Sequence, residues 1–393
     1  MVLMLMVMMY GSGKYLAIMS KINTDTVTMY DPRTNISVNN FLDITSSSTN
    51  STFKDALVFV KVHRSASSTV HNILLRYAMS HDRDVIMQWQ SYHSNDTGHV
   101  INRTELVLPD GYRVATSCSH VVVNEARVDQ LETLGSRSSG HVYISAIRDP
   151  FSQFLSSFTY FGAAETYIAD AIRADPENPV DEFLLNNSDY LRGRDPRSVV
   201  LDNRMSLDFG FPLQEYRLSN SKKTMVSEFL EILSEKFNLI IILEMFEESL
   251  VLMKNILGWE IRDILYLNVK TFIPNEDTPD WAFRKTFSYK VEQVFNRFAD
   301  VDTALYEHFL NKLQREIDAQ PPVFLEEVND FKHLREEISR SCESGTSLPV
   351  HFPATQFIGD VTVTSSDCQM MLLDDVMIHE RFKHFLLDKK DRS

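Results

Sequence analysis

Continuous apolar runs, separated by amphipathic segments, dominate the middle of the chain. Ala56–Val62, His141–Ile147 and Leu239–Leu243 are rich in β-branched residues, and such runs predict strands that are buried on both faces. A further strand is predicted at Arg113–Cys118. Strands that alternate with helices predict an α/β fold, in which helices flank a central, mostly parallel sheet.

Apolar residues at helical spacing lie between these strands. Val70–Met79 follows the first strand after a short polar loop, which is how a βαβ unit begins. Asp149-Pro150 begins another helix, because a proline in the first turn lacks only an N–H that would be unsatisfied anyway. Further helices are predicted at Glu125–Leu134, about 163–188, Lys222–Lys236, Glu247–Leu257 and 288–317. Residues 82–110 are predicted to form a variable polar loop, and after about 320 the pattern predicts no element.

The same patterns divide the chain into three parts. Residues 1–53 contain an apolar stretch and a polar stem, 54–345 contain the α/β domain, and 346–393 form a C-terminal extension. The apolar run Met1–Tyr10 is interrupted by Gly11-Ser12-Gly13-Lys14, well short of the about 20 residues that span a bilayer. We interpret it as a truncated or atypical membrane anchor.

Composition limits the ligands. The 39 basic and 54 acidic side chains give a net charge of −15, which opposes binding to nucleic acid. An anionic ligand must therefore be held by local cations. The three cysteines have no metal-binding spacing, and no metal is expected. Cys342 and Cys368 either pair in an oxidising compartment or remain buried thiols.

A first candidate site lies between the first strand and its helix. Helix N-termini bind anions through successive backbone N–H groups, and hydroxyl side chains beside them add donors. Lys61, His63 and Arg64 supply positive or titratable groups here. The remaining candidate ligands are Ser65, Ala66, Ser67, Ser68 and Thr69. The alternative is a solvated loop whose hydroxyls only cap the helix.

A second candidate site follows the third strand. Arg148 ends that strand, and Ser156 lies about two helical turns further on. Ligands of open α/β sheets bind at this edge, so the two residues are candidates for gripping a second phosphate. The alternative is a local pair between Arg148 and Asp149.

Four segments together resemble a known family, the galactose 3-O-sulfotransferases. They are FVKVHRSASSTVHNILLRY, CSHVVV, HVYISAIRDPFSQFLSSFTYFG and LIIILEMFEESLVLMKNILGWEIRDILYLNV. The resemblance covers about residues 56–270 and continues more thinly to about 345. It implies that 54–345 is a sulfotransferase domain with a fold like that of P-loop NTPases. Its donor would be 3′-phosphoadenosine 5′-phosphosulfate (PAPS), with the first block on the 5′-phosphosulfate and Arg148 with Ser156 on the 3′-phosphate.

The resemblance also implies catalytic roles. Sulfuryl transfer needs a general base for the acceptor hydroxyl and cations at the leaving phosphate. His120 is a candidate base or a structural histidine at a strand end, and His63 is a base or a donor contact. Lys61 and Arg64 are the candidate cations, with Arg64 standing where the family usually has Lys. Asn203 and Asp208 are candidate acceptor-side residues or simply part of a turn.

The function implied is transfer of a sulfuryl group from PAPS to a galactose hydroxyl, at the 3-position, of a glycolipid or glycoprotein glycan. The implied location is the lumenal side of the Golgi, in a type II membrane protein. Two alternatives stay open. A nucleotide-dependent kinase would need a glycine-rich loop, and residues 61–69 contain no glycine. A non-catalytic relative would bind adenosine 3′,5′-bisphosphate or a glycan without transfer.

Overall fold

The computed structural model describes most of the α/β domain and the C-terminal extension. The described residues are 57–86, 114–119, 142–162, 164–267, 280–283, 288–344 and 348–392. All of them belong to one compact unit that spans Lys54–Ser393. The predicted helix Glu125–Leu134 and the candidate base His120 lie outside the described residues.

A five-stranded parallel sheet forms the centre of the described part of the chain. Its strands are β1 (Leu57–Lys61), β2 (Asp84–Ile86), β3 (Val114–Ser119), β4 (Val142–Ile147) and β5 (Leu239–Ile242). They lie in the order β2-β3-β1-β4-β5, with every neighbouring pair parallel. The predicted parallel sheet is confirmed. The prediction of loop throughout 82–110 is wrong at β2, whose three residues are too few to show a pattern.

Burial on both faces explains why the central strands read as continuous apolar runs. Every residue of β4 and β5 is buried, and Phe59 in the middle of β1 is inaccessible to solvent. The polar Ser145 of β4 is accommodated because its Oγ donates to Val60 O of β1 at 2.7 Å. Such internal pairing removes the cost of burying a hydroxyl.

Helices cover the sheet and continue to the C-terminus. They are α1 (Ser67–Ser80), α2 (Pro150–Phe161), α3 (Thr166–Ala174), α4 (Pro179–Leu185), α5 (Asn187–Tyr190), α6 (Arg204–Asp208), α7 (Leu213–Leu218), α8 (Lys222–Lys236), α9 (Phe246–Leu257), α10 (Tyr289–Phe298), α11 (Asp300–Asp318), α12 (Val323–Ser344), α13 (Ser365–Met371) and α14 (Asp375–Arg392). Single 3₁₀ turns lie at Pro196–Ser198, Leu243–Met245, Ile261–Ile264 and Asp280–Phe283. None of the helices within the described ranges is long and apolar enough to cross a bilayer.

The helix predicted over 288–317 is two helices, α10 and α11. Asn203 Oδ1 accepts hydrogen bonds of 2.9 Å from the backbone N–H groups of Val301 and Asp302, at the start of α11. An amide oxygen from a distant segment thus satisfies N–H groups that a helix start leaves unpaired. The sequence spacing alone does not reveal this break.

The C-terminal segment belongs to the same compact unit as the sheet. Strands β6 (Val350–Phe352) and β7 (Val361–Val363) form an antiparallel pair, and a disulfide between Cys342 and Cys368 joins α12 to α13. Helix α14 lies on α1, where Ile378 and Phe382 are buried. The sequence pattern assigned no element to this region.

The topology creates a crevice between the carboxyl ends of β1 and β4. These strands are neighbours, but the chain leaves β1 toward β2 on one side and leaves β4 toward β5 on the other. Open α/β sheets bind ligands where the connections diverge in this way. Both candidate sites found in the sequence lie at this crevice.

Candidate active site

The loop 62–66, which connects β1 to α1, is shaped by its own serines. Ser65 Oγ and Ser67 Oγ donate to Val62 O at 2.9 and 2.6 Å, and both serines are buried. Two hydroxyls therefore fold the loop back onto the end of the strand. Any contact of these two serines with a ligand falls to their backbone N–H groups, since their hydroxyls are engaged inside the protein.

The backbone of this loop has a strained conformation of the kind that occurs in anion-binding loops. Arg64 and Ala66 have φ values of 58° and 59°, in the left-handed region that residues with a Cβ rarely adopt. Such residues cost about 1–3 kcal/mol each and cluster at ligand sites. Ala66 also precedes α1, and no side chain caps this helix start. The start of α1 therefore donates no hydrogen bond to a capping side chain, and an uncapped helix N-terminus favours an anion.

His63 directly follows β1 and the adjoining Val62, and it is held by a buried carboxylate. Its backbone N–H donates to Asp208 Oδ2 at 2.7 Å, and its Nδ1 lies 2.7 Å from the same oxygen. Asp208 Oδ1 accepts a hydrogen bond of 2.6 Å from Arg204 Nη2, and both of these side chains are fully buried. Because the Asp208 carboxylate accepts a hydrogen bond from Nδ1–H, the neutral imidazole carries its lone pair at Nε2.

The charge state of this group suits a base. Burial lowers the pKa of His63 below its ordinary value of 6.5, although Asp208 opposes this effect. Burial alone would raise the pKa of Asp208, but Arg204 and His63 outweigh it and hold that pKa well below its usual range. At neutral pH the pair is therefore a neutral imidazole and a carboxylate. A histidine oriented by a carboxylate is the arrangement of a general base.

Two guanidinium groups converge on the other side of the crevice. Arg64 Nε donates to Ser156 Oγ at 3.1 Å, and its guanidinium carbon lies 4.3 Å from the centre of the Tyr160 ring. Burial lowers the pKa of Arg64, Tyr160 opposes this, and nearby Arg148 lowers it further. Arg148 Nε is buried and has no hydrogen-bond partner among the described residues. Two cations that repel each other, one with an unsatisfied donor, are suited to a dianion such as phosphate.

A carboxylate from α14 occupies the third part of the site. Lys61 Nζ lies 2.9 Å from Asp375 Oδ2, and Ser68 Oγ donates to the same oxygen. His71 Nδ1 lies 3.3 Å from Asp375 Oδ1. Lys61 at the end of β1 and the Ser68 hydroxyl in the first turn of α1 therefore share one acidic partner.

The arrangement provides a base, several cations and a strained anion-binding loop within one crevice. No group of three or more potential metal ligands occurs among the described side chains. These components match the needs of a reaction that takes a proton from a hydroxyl and stabilises negative charge on a leaving phosphate or sulfate.

Comparison with known proteins identifies the family. A family model described as galactose-3-O-sulfotransferase matches residues 2–357. The chain belongs to the galactose-3-O-sulfotransferase family. The resemblance in the four sequence segments is thereby confirmed.

Curated members of the family are similar to the chain at low identity. Galactose-3-O-sulfotransferase 3 of Bos taurus is 25% identical over 76% of this chain and 66% of its own length. Galactosylceramide sulfotransferase of Homo sapiens is 27% identical over 74% of this chain and 64% of its own length. Galactose-3-O-sulfotransferase 2 of Homo sapiens is 28% identical over 75% of this chain and 70% of its own length. The chain thus spans slightly less than two thirds of the first two relatives.

The structure brings most of the predicted site residues of this family member together. Lys61 to Thr69, Arg148, Ser156 and Asp208 lie around the crevice between β1 and β4. Asn203 is different, because its buried amide contacts the backbone of Phe298 and the start of α11. Acceptor-side roles for Asn203 and Asp208 stay predictions.

Three residues of the site were not found from the sequence. Arg204 precedes Asp208 by four positions, a spacing typical of a helical ion pair, and that signal was available. Gln153 Nε2 donates to His63 O at 3.2 Å, and it lies within the RDPFSQFLSSF segment. Asp375 gave no signal, since it lies 307 positions from Ser68 in a segment without an assigned element.

Proposed function

We propose that the protein transfers the sulfuryl group of PAPS to the 3-hydroxyl of a galactose in a glycolipid or glycoprotein glycan. The observation that carries this proposal is the buried Asp208–His63 pair beside the strained, cationic loop, in a member of this family. The names of the curated relatives specify galactose 3-O-sulfation and, in one case, galactosylceramide.

The donor is divided between the two sides of the crevice. Arg148, Arg64 and Ser156 hold its 3′-phosphate, because two guanidinium groups and a hydroxyl converge there. Lys61 and the segment 65–69 hold the 5′-phosphosulfate through an ammonium group, backbone N–H groups and the Ser68 and Thr69 hydroxyls. This assignment leaves Arg64 next to both phosphates.

The reaction is an in-line displacement at sulfur. The galactose oxygen forms a bond to sulfur while the bond from sulfur to the 5′-phosphate oxygen breaks. His63 Nε2 takes the proton of the galactose hydroxyl, and Lys61 with Arg64 balances the charge that grows on the leaving phosphate. Asp208 is a positioning residue, since it fixes the tautomer and orientation of His63. His120 remains the other candidate for the base.

The protein acts on the lumenal side of the Golgi as a type II membrane protein. The disulfide between Cys342 and Cys368 supports an oxidising compartment, because such bonds rarely persist in a reducing cytosol. Galactose-terminated glycolipids and glycans are the partners that this location supplies.

Transfer of labelled sulfate tests the proposal. The protein is incubated with labelled PAPS and a panel of galactosylceramide, glycoprotein and mucin-type galactosides, each paired with its 3-deoxygalactose analogue. We expect labelling of at least one galactoside and none of its 3-deoxy analogue. Equal labelling of both would exclude the 3-hydroxyl as the acceptor. Binding of adenosine 3′,5′-bisphosphate without transfer would favour the non-catalytic relative, and retention on ATP with Mg²⁺ would favour the kinase.

A further inference from the structure

Asp375, the first residue of α14, contacts residues of the proposed donor site. Its carboxylate accepts from the Ser68 hydroxyl, lies 2.9 Å from Lys61 Nζ, and lies 3.3 Å from His71 Nδ1. The Lys61 and Asp375 side chains are 12% and 13% exposed. An ammonium group and a hydroxyl are the same donors that an oxyanion of a phosphate or sulfate would use. The Asp375 carboxylate therefore occupies the hydrogen-bond donors that the 5′-phosphosulfate of PAPS would use.

This carboxylate is not needed to begin its helix. Asp374 Oδ1 accepts the backbone N–H groups of Val376 and Met377 at 3.0 and 2.9 Å, so Asp374 caps the start of α14. The Asp375 carboxylate instead contacts Ser68 and His71 of α1 and Lys61 at the end of β1. These contacts thus tie the start of α14 to the two elements that flank the loop of the proposed donor site.

The rest of α14 is anchored independently of Asp375. Ile378 and Phe382 are fully buried and pack with Leu75 and Ala78 of α1. The helix can therefore remain in place while the Asp375 side chain turns away, because an aspartate changes position by rotation about a single side-chain bond. Release of Lys61 and Ser68 requires no unfolding.

We infer that Asp375 is an internal competitor of the donor, holding Lys61 and Ser68 until the 5′-phosphosulfate of PAPS displaces it. Asp375 lies beyond residues 2–357, the part of the chain that the family model matches, so family membership does not assign this role. The inference rests on the proposed function. It adds an autoinhibitory contact that sets the donor concentration at which the enzyme works.

Calorimetry on the full chain tests the competition. Asp375→Asn removes the charge with little change in shape, and adenosine 3′,5′-bisphosphate should then bind about tenfold more tightly, as expected for removal of a competing charge-assisted contact. Glu380→Gln is the matched control, because it removes a charge from the same helix at a carboxylate that pairs with Lys383. Its affinity should stay within about twofold of wild type. Asp375→Glu keeps the charge and should keep the lower affinity.

A second ligand separates competition from a general effect of charge. Adenosine 3′-monophosphate lacks the 5′-phosphate, so Asp375→Asn should change its affinity much less than that of the bisphosphate, with only the influence of Asp375 on Arg64 remaining. An equal gain for both nucleotides, or no gain for the bisphosphate, would overturn the inference and leave the proposed function intact. If wild type and all variants failed to bind the bisphosphate, the proposed function and this inference would fall together. Asp375→Ser replaces Asp375→Asn if the latter does not fold.

Discussion

Two carboxylates hold the segment from Lys61 to Ser68, which includes the loop between β1 and α1, and they differ in burial and origin. Asp208 is fully buried, pairs with His63, and has its second oxygen occupied by the buried Arg204. Asp375 is 13% exposed and shares one oxygen between Lys61 and Ser68. The first lies inside the segment that matches the family, and the second lies outside it.

The difference indicates which contact is permanent. A buried ion pair cannot be opened without leaving a charge in a medium of low polarity, which is costly. A lysine at the rim can turn its flexible stem toward water when its partner leaves. We therefore expect the contact between Asp208 and His63 to be fixed and the contacts of Asp375 with Lys61 and Ser68 to be exchangeable.

The largest expected effect on stability comes from changing Asp208, the fully buried carboxylate. Asp208→Asn leaves the Arg204 guanidinium buried without its carboxylate, so the free energy of unfolding should fall by about 3–5 kcal/mol. Urea unfolding followed by circular dichroism measures this loss.

The same chemical change at Asp375, the less buried carboxylate, is the control for Asp208→Asn. Asp375→Asn should lower the free energy of unfolding clearly less than Asp208→Asn, because Asp375 and Lys61 keep some access to solvent and the flexible stem of Lys61 can extend toward water. Equal losses for the two variants would contradict the distinction between a fixed and an exchangeable contact.

A smaller effect is expected at Arg148, whose buried Nε has no partner in the described part of the protein. If this donor serves the 3′-phosphate, Arg148→Ala should weaken binding of adenosine 3′,5′-bisphosphate by about 1.5–3 kcal/mol, the value of a charge-assisted hydrogen bond. Calorimetry measures the change. Arg173→Ala is the control, because Arg173 is 74% exposed on α3 and pairs with Asp170.

An unchanged affinity in a folded Arg148→Ala protein would remove Arg148 from the site. The double variant of Arg148→Ala and Asp375→Asn tests whether the two contacts influence donor affinity independently. The two changes concern different phosphates, but Arg64 interacts electrostatically with both Arg148 and Asp375, so the effects of the two changes on donor affinity should be partly coupled rather than strictly additive.

The sequence predicted the parts of this fold that depend on local pattern. The runs at β1, β4 and β5 were recognised because strands buried on both faces are apolar throughout. Helix α12 was missed, although Phe324, Val328 and Phe331 have the spacing of a buried helical face.

The sequence also located the cationic loop between β1 and α1, but the partners of that loop depend on tertiary structure. His63 and Asp208 are 145 positions apart, and Ser68 and Asp375 are 307 apart. No periodicity or motif connects residues at such distances. Only the folded structure shows that Asp208 contacts His63 and that Asp375 contacts Ser68.

The central claim is that His63 takes the proton from the galactose hydroxyl. Single-turnover sulfate transfer with PAPS well below saturation, where the rate reports the pKa values of the free enzyme, tests it most directly when measured from pH 5 to 8 for wild type and His63→Gln. Burial lowers the pKa of His63, so the wild-type rate should be constant at neutral pH and fall as the pH drops through a value below 6.5. His63→Gln should be about 10²–10⁴-fold slower, the usual contribution of a general base, and should lack this fall. A His63→Gln protein that keeps the wild-type rate and pH profile would contradict the account and transfer the role of base to another residue, with His120 the first to examine.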